Sequence, residues 1–258
     1  MIGMSCKQYF GRFSQDDRVF SGFIVGDYVY EIGGGDTLPV PHELGELTWL
    51  APVMPSKVIA IGLNYIDHAQ QAGKTIPDKP LVFLKAPTSL IGHKEAIVAP
   101  PSTAMLCCEG ELAVVIGKKG RFIPEASALD YVFGYTCSND VSARDLQRED
   151  GQWARAKSFD TFCPIGPSIL MTDRDPGQLK IEVRVNNKVW QRSNTNQMGH
   201  GVRKIISYVS EAMTLLPGDI ILTGTPGNTP ELKIGDVVYV EIEDIGVLEN
   251  PVIAERRD

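Results

Sequence analysis

The sequence predicts an α+β fold built on a mixed β-sheet, with a small β-rich segment ahead of a larger body. Three observations carry that prediction. Short apolar, β-branched runs such as KVIAIGLN, ELAVVIG and DIILTGTP outnumber the helical stretches. The helical stretches fall irregularly between them, which argues against the strict strand–helix alternation of a doubly wound parallel sheet. Finally, Pro52 and Pro55 in LAPVMPSK punctuate the chain where the short N-terminal strands end. That boundary divides the chain into a small domain over residues 1–53 and a main body over residues 54–258.

Taken in order, KQYFGRF is a strand, and VFSGFIVGDYVYEI is a hairpin turning at Gly26-Asp27, because apolar and polar residues alternate on both sides of the glycine. The glycine run GGGD follows as a turn. In the body, KVIAIGLN, LVFLKA, ELAVVIG, SILMT, LKIEVRVNNKVWQ, DIILTGTP and DVVYVEIED are strands. NYIDHAQQAG, ASALDYV and GVRKIISYVSEAMTL are helical. In the last, Val202, Ile205, Ile206, Val209 and Met213 recur at steps of three and four, which makes one face apolar.

At 258 residues and 43% hydrophobic, the composition is that of a globular protein. The net charge of −7 and the scattered Lys and Arg argue against nucleic acid and anionic membranes as partners. No apolar run reaches the ~20 residues of a membrane-spanning helix. The start, MIGMSCKQYFGRF, lacks the apolar core of a signal peptide. Cys6, Cys107, Cys108, Cys137 and Cys163 form no CxxC pair, so reduced thiols in a cytoplasmic protein are expected and zinc is not.

Glu109 and Glu111 open the run CEGELAVVIG, and in a strand their side chains share one face. Adjacent carboxylates repel unless a cation or a shared proton lies between them. Asp140 ends the apolar segment DYVFGYTCSND and supplies a third carboxylate, a set suited to a hard divalent ion such as Mg²⁺. The competing explanation of the spacing is the wet face of an edge strand. His68 opens the helix of NYIDHAQQAG and is either a general acid or base on a mobile element or an exposed histidine. The stretch SNDVSARDLQREDGQWARAKSFDTFCPIGP is dense in polar groups, and Asp140, Arg144, Gln147, Lys157 and Asp160 are candidates to converge on one anionic substrate. The alternative is a solvated loop with ion pairs of little energetic weight. Gly224-Thr225-Pro226 ends a strand in a turn that presents a hydroxyl and backbone amides, a carboxylate-binding device or a plain turn. There is no GxSxG, phosphate-binding glycine loop or dinucleotide fingerprint.

In this order, GLNYIDHA, EGELAVVIG, DYVFGYTCSNDVSARDLQ, RAKSFDTFCPIGP, MTLLPGDIILTGTP and IGDVVYVEIEDIGVLENPV resemble the fumarylacetoacetate hydrolase family over residues 57–253. The resemblance implies a mixed sheet rolled into a barrel-like fold behind a small variable N-terminal domain. It also implies a Mg²⁺ or Mn²⁺ ion on Glu109, Glu111 and Asp140, Lys157 as the site lysine, and His68 on a lid that orders with ligand. Gln147 matches a substrate contact and Thr225 the threonine that receives a substrate carboxylate. A homodimer acting on a small 2-oxo or β-diketo acid is implied, cleaving a C–C bond through a metal-stabilised enolate by decarboxylation or acylpyruvate hydrolysis. The alternatives are an isomerase of 2-hydroxy-2,4-dienedioates and an inactive member that only binds. Two departures stand out. Gln71 occupies the lid position where hydrolytic and decarboxylating relatives carry the glutamate that activates water with the histidine. Its amide can orient His68 but cannot take a proton. Cys107-Cys108 precedes Glu109 where relatives more often carry an acidic or aromatic residue.

Overall fold

The computed structural model describes residues 7–33 and 41–256. Cys6 and positions 34–36 of the glycine run lie outside them. Strands Gln8–Gln15, Arg18–Val25 and Tyr28–Glu31 form an antiparallel meander. Its first turn places Asp16 and Asp17 at φ 48 and 62, the left-handed pair that a two-residue type I′ hairpin requires. Its second turns at Gly26-Asp27, as the alternation predicts, with Val25 paired to Tyr28.

Among the described residues the main sheet has twelve strands. Ten of them follow in the order Pro41–Glu43, Tyr28–Glu31, Arg18–Val25, Gln8–Gln15, Cys163–Met171, Val132–Asn139, Gly110–Ile116, Ile220–Leu222, Val58–Gly62 and Leu81–Lys85, while Thr48–Leu50 pairs with Gln8–Gln15 and Leu90–Ile91 with Cys163–Met171. Most pairs are antiparallel, while Ile220–Leu222 runs parallel to Val58–Gly62, so the sheet is mixed as expected. Among the described residues the ladder stays open and no barrel closes. The apolar face is buried another way. A second, five-stranded sheet containing Lys180–Val185, Val237–Ile242 and Gly246–Ala254 packs against the first. Leu112 and Val114 from one sheet and Ile181, Val183, Val240 and Leu248 from the other share one core cluster. The approach is close at Gly110, where an added Cβ would lie 2.2 Å from Val183 Cγ2.

Residues 7–33 and 41–53 have a small core of their own in Phe13, Phe20, Val29 and Leu47. They nevertheless continue the main sheet, because Tyr9 pairs with Leu170 and Phe10 with Ile169. Helix Val202–Ala212 buries Val202, Ile205, Ile206 and Val209, the stripe its spacing predicts. The ASALDYV stretch forms a 3₁₀ helix, Glu125–Tyr131. Among the described residues no helix is long and apolar enough to cross a membrane. Cys107, Cys108, Cys137 and Cys163 are buried and unpaired, and burial pushes the Cys137 and Cys163 thiols up to about 12, which makes them poor nucleophiles.

Candidate metal centre

Strand Gly110–Ile116 is buried along its whole length and has a partner on each side, so it is central and the edge-strand explanation of Glu109 and Glu111 fails. Its antiparallel neighbour pairs Asn139 with Gly110. Asp140 therefore arrives beside Glu109, donating its backbone N–H to the Glu109 carbonyl at 2.8 Å, while Asn139 Oδ1 accepts from the Glu109 N–H at 2.9 Å. One carboxylate oxygen from each of Glu109, Glu111 and Asp140 lies within 4.8 Å of the others. All three side chains are buried.

Three cationic side chains meet them. Lys157 bridges two carboxylates, with its Nζ 2.6 Å from Glu109 Oε2 and 2.5 Å from Asp140 Oδ2. Arg144 donates to Glu109 Oε1, and its other terminal nitrogen donates to Gln147 Oε1 at 2.5 Å. Lys85 donates to Asp140 Oδ1 at 2.5 Å. Burial works to raise the Glu109 pKa, but Arg144 and Lys157 outweigh it and hold the carboxyl well below its usual range. Burial likewise works to lower the Lys157 pKa, and the Asp140 and Glu109 carboxylates reverse that, keeping the ammonium charged.

Glu111 is treated differently. Among the described residues its one hydrogen-bond donor is the Gly224 N–H, 2.6 Å from Oε2. Burial, with Asp140 and then Glu109 as like-charged neighbours, pushes its pKa well above the carboxylate range. A buried carboxylate that pairs with no cation among the described residues, and faces two other carboxylates, fits a divalent ion. An all-oxygen set selects a hard one such as Mg²⁺ or Mn²⁺.

The centre opens onto a cavity of about 340 Å³ lined also by His68, Phe83, Arg144, Gln147, Trp153 and Thr225. His68 lies on the short helix Ile66–Gln71 with Nδ1 3.2 Å from the Pro226 carbonyl. That oxygen can only accept, so Nδ1 carries a proton, and in the neutral ring Nε2 is the nitrogen free to act as a base. Thr225 Oγ1 accepts from Gln191 Nε2 at 3.0 Å, which leaves the hydroxyl proton for a ligand. Gln191 Nε2 also donates to the Pro226 and Gly227 carbonyls at 2.6 and 3.1 Å, and its Oε1 accepts from the Gly110 N–H at 3.2 Å. It ties the Thr225 turn to the strand that carries Glu111.

Not every candidate converges. Asp160 is exposed and lies outside the cavity lining. Gln71 does not line the cavity and makes no bond to His68. Its amide pairs with Asn228, donating to Oδ1 at 3.0 Å and accepting from the backbone N–H at 2.8 Å. Gly227 makes room for this, since a Cβ there would lie 2.6 Å from Gln71 Oε1. Lys85 and Gln191 escaped the sequence reasoning. Lys85 ends an apolar strand and Gln191 sits in a polar hairpin, both places where such residues usually meet solvent.

Residues 57–253 match the family described as fumarylacetoacetate (FAA) hydrolase C-terminal. A mitochondrial oxaloacetate tautomerase, Fahd2a of Rattus norvegicus, is 46% identical over 219 residues, covering 81% of this chain and 70% of its own. A 5-carboxymethyl-2-hydroxymuconate delta-isomerase from Mycobacterium smegmatis superposes with a TM-score of 0.89 at 43% identity, covering 96% of this chain and 100% of that one. A maleylpyruvate hydrolase from Sphingobium sp. SYK-6, solved with manganese(II) and pyruvate, superposes with a TM-score of 0.82 at 27% identity, with coverage of 96% and 100%. The carboxylate triad, its buried lysines and these similarities place the chain in the fumarylacetoacetate hydrolase family of enzymes.

Proposed function

We propose that the chain is a divalent-metal-dependent tautomerase or isomerase that moves a proton beside the keto group of a small 2-oxo diacid such as oxaloacetate. The observation that carries this is the lid. His68 faces the cavity as a base, while Gln71, with no carboxylate, is occupied by Asn228. Proton transfer at carbon needs a base and a stabilised oxyanion, but no activated water. Acylpyruvate hydrolysis needs that water; position 71 offers no carboxylate to help generate it, and Asp67 on the same helix is engaged with the His68 N–H at 2.8 Å.

Bound at Glu109, Glu111 and Asp140, a Mg²⁺ or Mn²⁺ ion supplies Lewis-acid polarisation of a keto oxygen. The remaining work falls to the chain. Lys157 places a buried positive charge where negative charge develops, and the Thr225 hydroxyl donates to a substrate carboxylate. His68 Nε2 takes a proton from the carbon and can return it. Three carboxylates balance Lys85, Arg144 and Lys157, so the centre is formally neutral and a divalent ion brings it to +2. A dianionic diacid cancels that charge. The names of the rat and mycobacterial relatives point the same way. Decarboxylation draws on the same charges and is the second reading. The inactive binder is disfavoured, since buried charges are costly to keep without use.

The test follows the enol absorbance of oxaloacetate together with pyruvate release, with Mg²⁺ or with chelator. Metal-dependent enol decay above the metal-only background, with oxaloacetate conserved, is expected. Pyruvate appearing in step with enol loss would replace tautomerisation with decarboxylation. An unchanged background rate would refute both.

A further inference from the structure

In each carboxylate of the triad one oxygen is taken by a donor other than Lys157. Arg144 takes Glu109 Oε1, Lys85 takes Asp140 Oδ1, and the Gly224 amide takes Glu111 Oε2. These three donors leave Glu109 Oε2, Asp140 Oδ2 and Glu111 Oε1. Lys157 sits on the first two of these, at 2.6 and 2.5 Å.

Both lysines are sealed from solvent, with side-chain exposures of 0% for Lys85 and 2% for Lys157. Two buried ammonium groups on one aspartate carry a large desolvation cost, so neither is an incidental surface charge. Their surroundings differ. Lys85 ends strand Leu81–Lys85, and among the described residues Asp140 is its one hydrogen-bond partner. Lys157 ends the short helix Ala154–Lys157, lines the cavity, and has the Phe83 ring centre 5.6 Å away.

We infer that Lys157 and a divalent ion are alternative occupants of Glu109 Oε2 and Asp140 Oδ2, while Lys85 is a positioning residue that holds Asp140 in place in either case. This rests on the metal-dependent reading above. An ion held by Glu109 and Asp140 would displace the Lys157 ammonium, and the cavity is the side on which it can move. Metal binding would thus turn the lysine from counter-ion of the carboxylates into a cation presented to substrate. Metal and anionic substrate then favour each other's binding. Arg144 and Lys85 stay behind to hold the carboxylates.

The sign of two mutational effects on metal affinity tests this. Mn²⁺ and Mg²⁺ are titrated calorimetrically into wild type, Lys157→Met, Lys85→Met and Lys85→Arg. Lys157→Met should bind about tenfold more tightly or better, since a competing buried cation is gone. Lys85→Met should bind about 10- to 100-fold more weakly, as when an outer partner of a metal ligand is removed, with Lys85→Arg partly restoring it. If both Met variants tighten, the lysines act only as through-space charge and the positioning role falls. If both weaken, the exchange falls. Should Lys85→Met not fold, the ¹⁵Nζ resonances of wild type decide: the Lys157 ammonium signal should move on adding Mg²⁺ and that of Lys85 should stay. A stationary Lys157 signal overturns the inference. Wild type that binds neither ion overturns the metal-dependent reading itself.

Discussion

Gly224 is where the backbone and the metal centre are most directly coupled, and Gly224→Ala is the sharpest test of that coupling. The residue sits at φ +98, a conformation that L side chains rarely adopt. Holding a non-glycine residue there costs about 1–3 kcal/mol. The added Cβ would also lie 2.7 Å from Asn64 Cβ and 3.2 Å from the Ile61 carbonyl. Asn64 cannot yield easily. Its amide donates to the Thr223 and His200 carbonyls at 2.7 and 3.0 Å and accepts from the His200 N–H at 2.9 Å. Overpacking against such a neighbour adds about 1–3 kcal/mol. Together the two effects predict a loss of about 2–6 kcal/mol. Relief of the clash also withdraws the N–H that holds Glu111, so Mn²⁺ affinity should fall about tenfold or more. Urea unfolding and Mn²⁺ titration measure the two effects. Gly26→Ala is the control, because that glycine has φ +60 with nothing within 4 Å of an added Cβ. It should cost only about 1–2 kcal/mol. If Gly224→Ala is no less stable than Gly26→Ala and binds Mn²⁺ unchanged, the reasoning is wrong.

Three further outcomes are expected. Asp219 is buried, with Lys57 Nζ, Ser56 Oγ and the backbone N–H groups of Ser56, Lys57 and Leu216 as its donors. Asp219→Asn should lose about 3–5 kcal/mol in urea unfolding at pH 7. Burial works to raise the Asp219 pKa, but Lys57 and Ser56 outweigh it and depress it. The deficit should therefore be full above the ordinary aspartate range and shrink as pH falls through the depressed value; a gap that stays constant into acid refutes the ion pair. For Glu111, with its raised pKa, the sign is opposite: in chelator, wild type should lose stability relative to Glu111→Gln as pH rises through that value, by up to about 1.4 kcal/mol per pH unit. Parallel pH profiles would show that Glu111 is not desolvated. Gln71→Glu should raise acylpyruvate hydrolysis at least about tenfold relative to oxaloacetate tautomerisation, provided the new carboxylate leaves Asn228 and turns to His68 on the same helix. An unchanged ratio in paired rate assays counts against the lid as the determinant of reaction type.

The triad was legible in the sequence because a strand's period of two is rigid. Glu109 and Glu111 must share a face, and an apolar run on either side of the hairpin brings Asp140 alongside. The helix Val202–Ala212 was legible for the same reason, with a longer period. Lys85 was not, because nothing local separates a lysine that ends a strand in water from one that ends it against a buried aspartate 55 positions away. Gln191 was hidden in the same way, since its burial depends on the Thr225 turn folding over it. Gln71 was visible as a departure, but its engagement with Asn228 depends on the room left by Gly227, a contact 157 positions away. The open sheet, too, is a tertiary outcome. Apolar alternation says that a face is covered, not whether closure or a second sheet covers it.

The seam between Gln8–Gln15 and Cys163–Met171 bears on how the protein survives damage. Through it, the first strands cap a stretch of main-chain N–H and C=O groups at Ile169–Met171 that would otherwise be an open, apolar edge. Clipping the chain near residue 53 would therefore do more than remove an appendage. It would bare a template for strand addition by other chains, and the truncated enzyme should aggregate before it loses its metal centre.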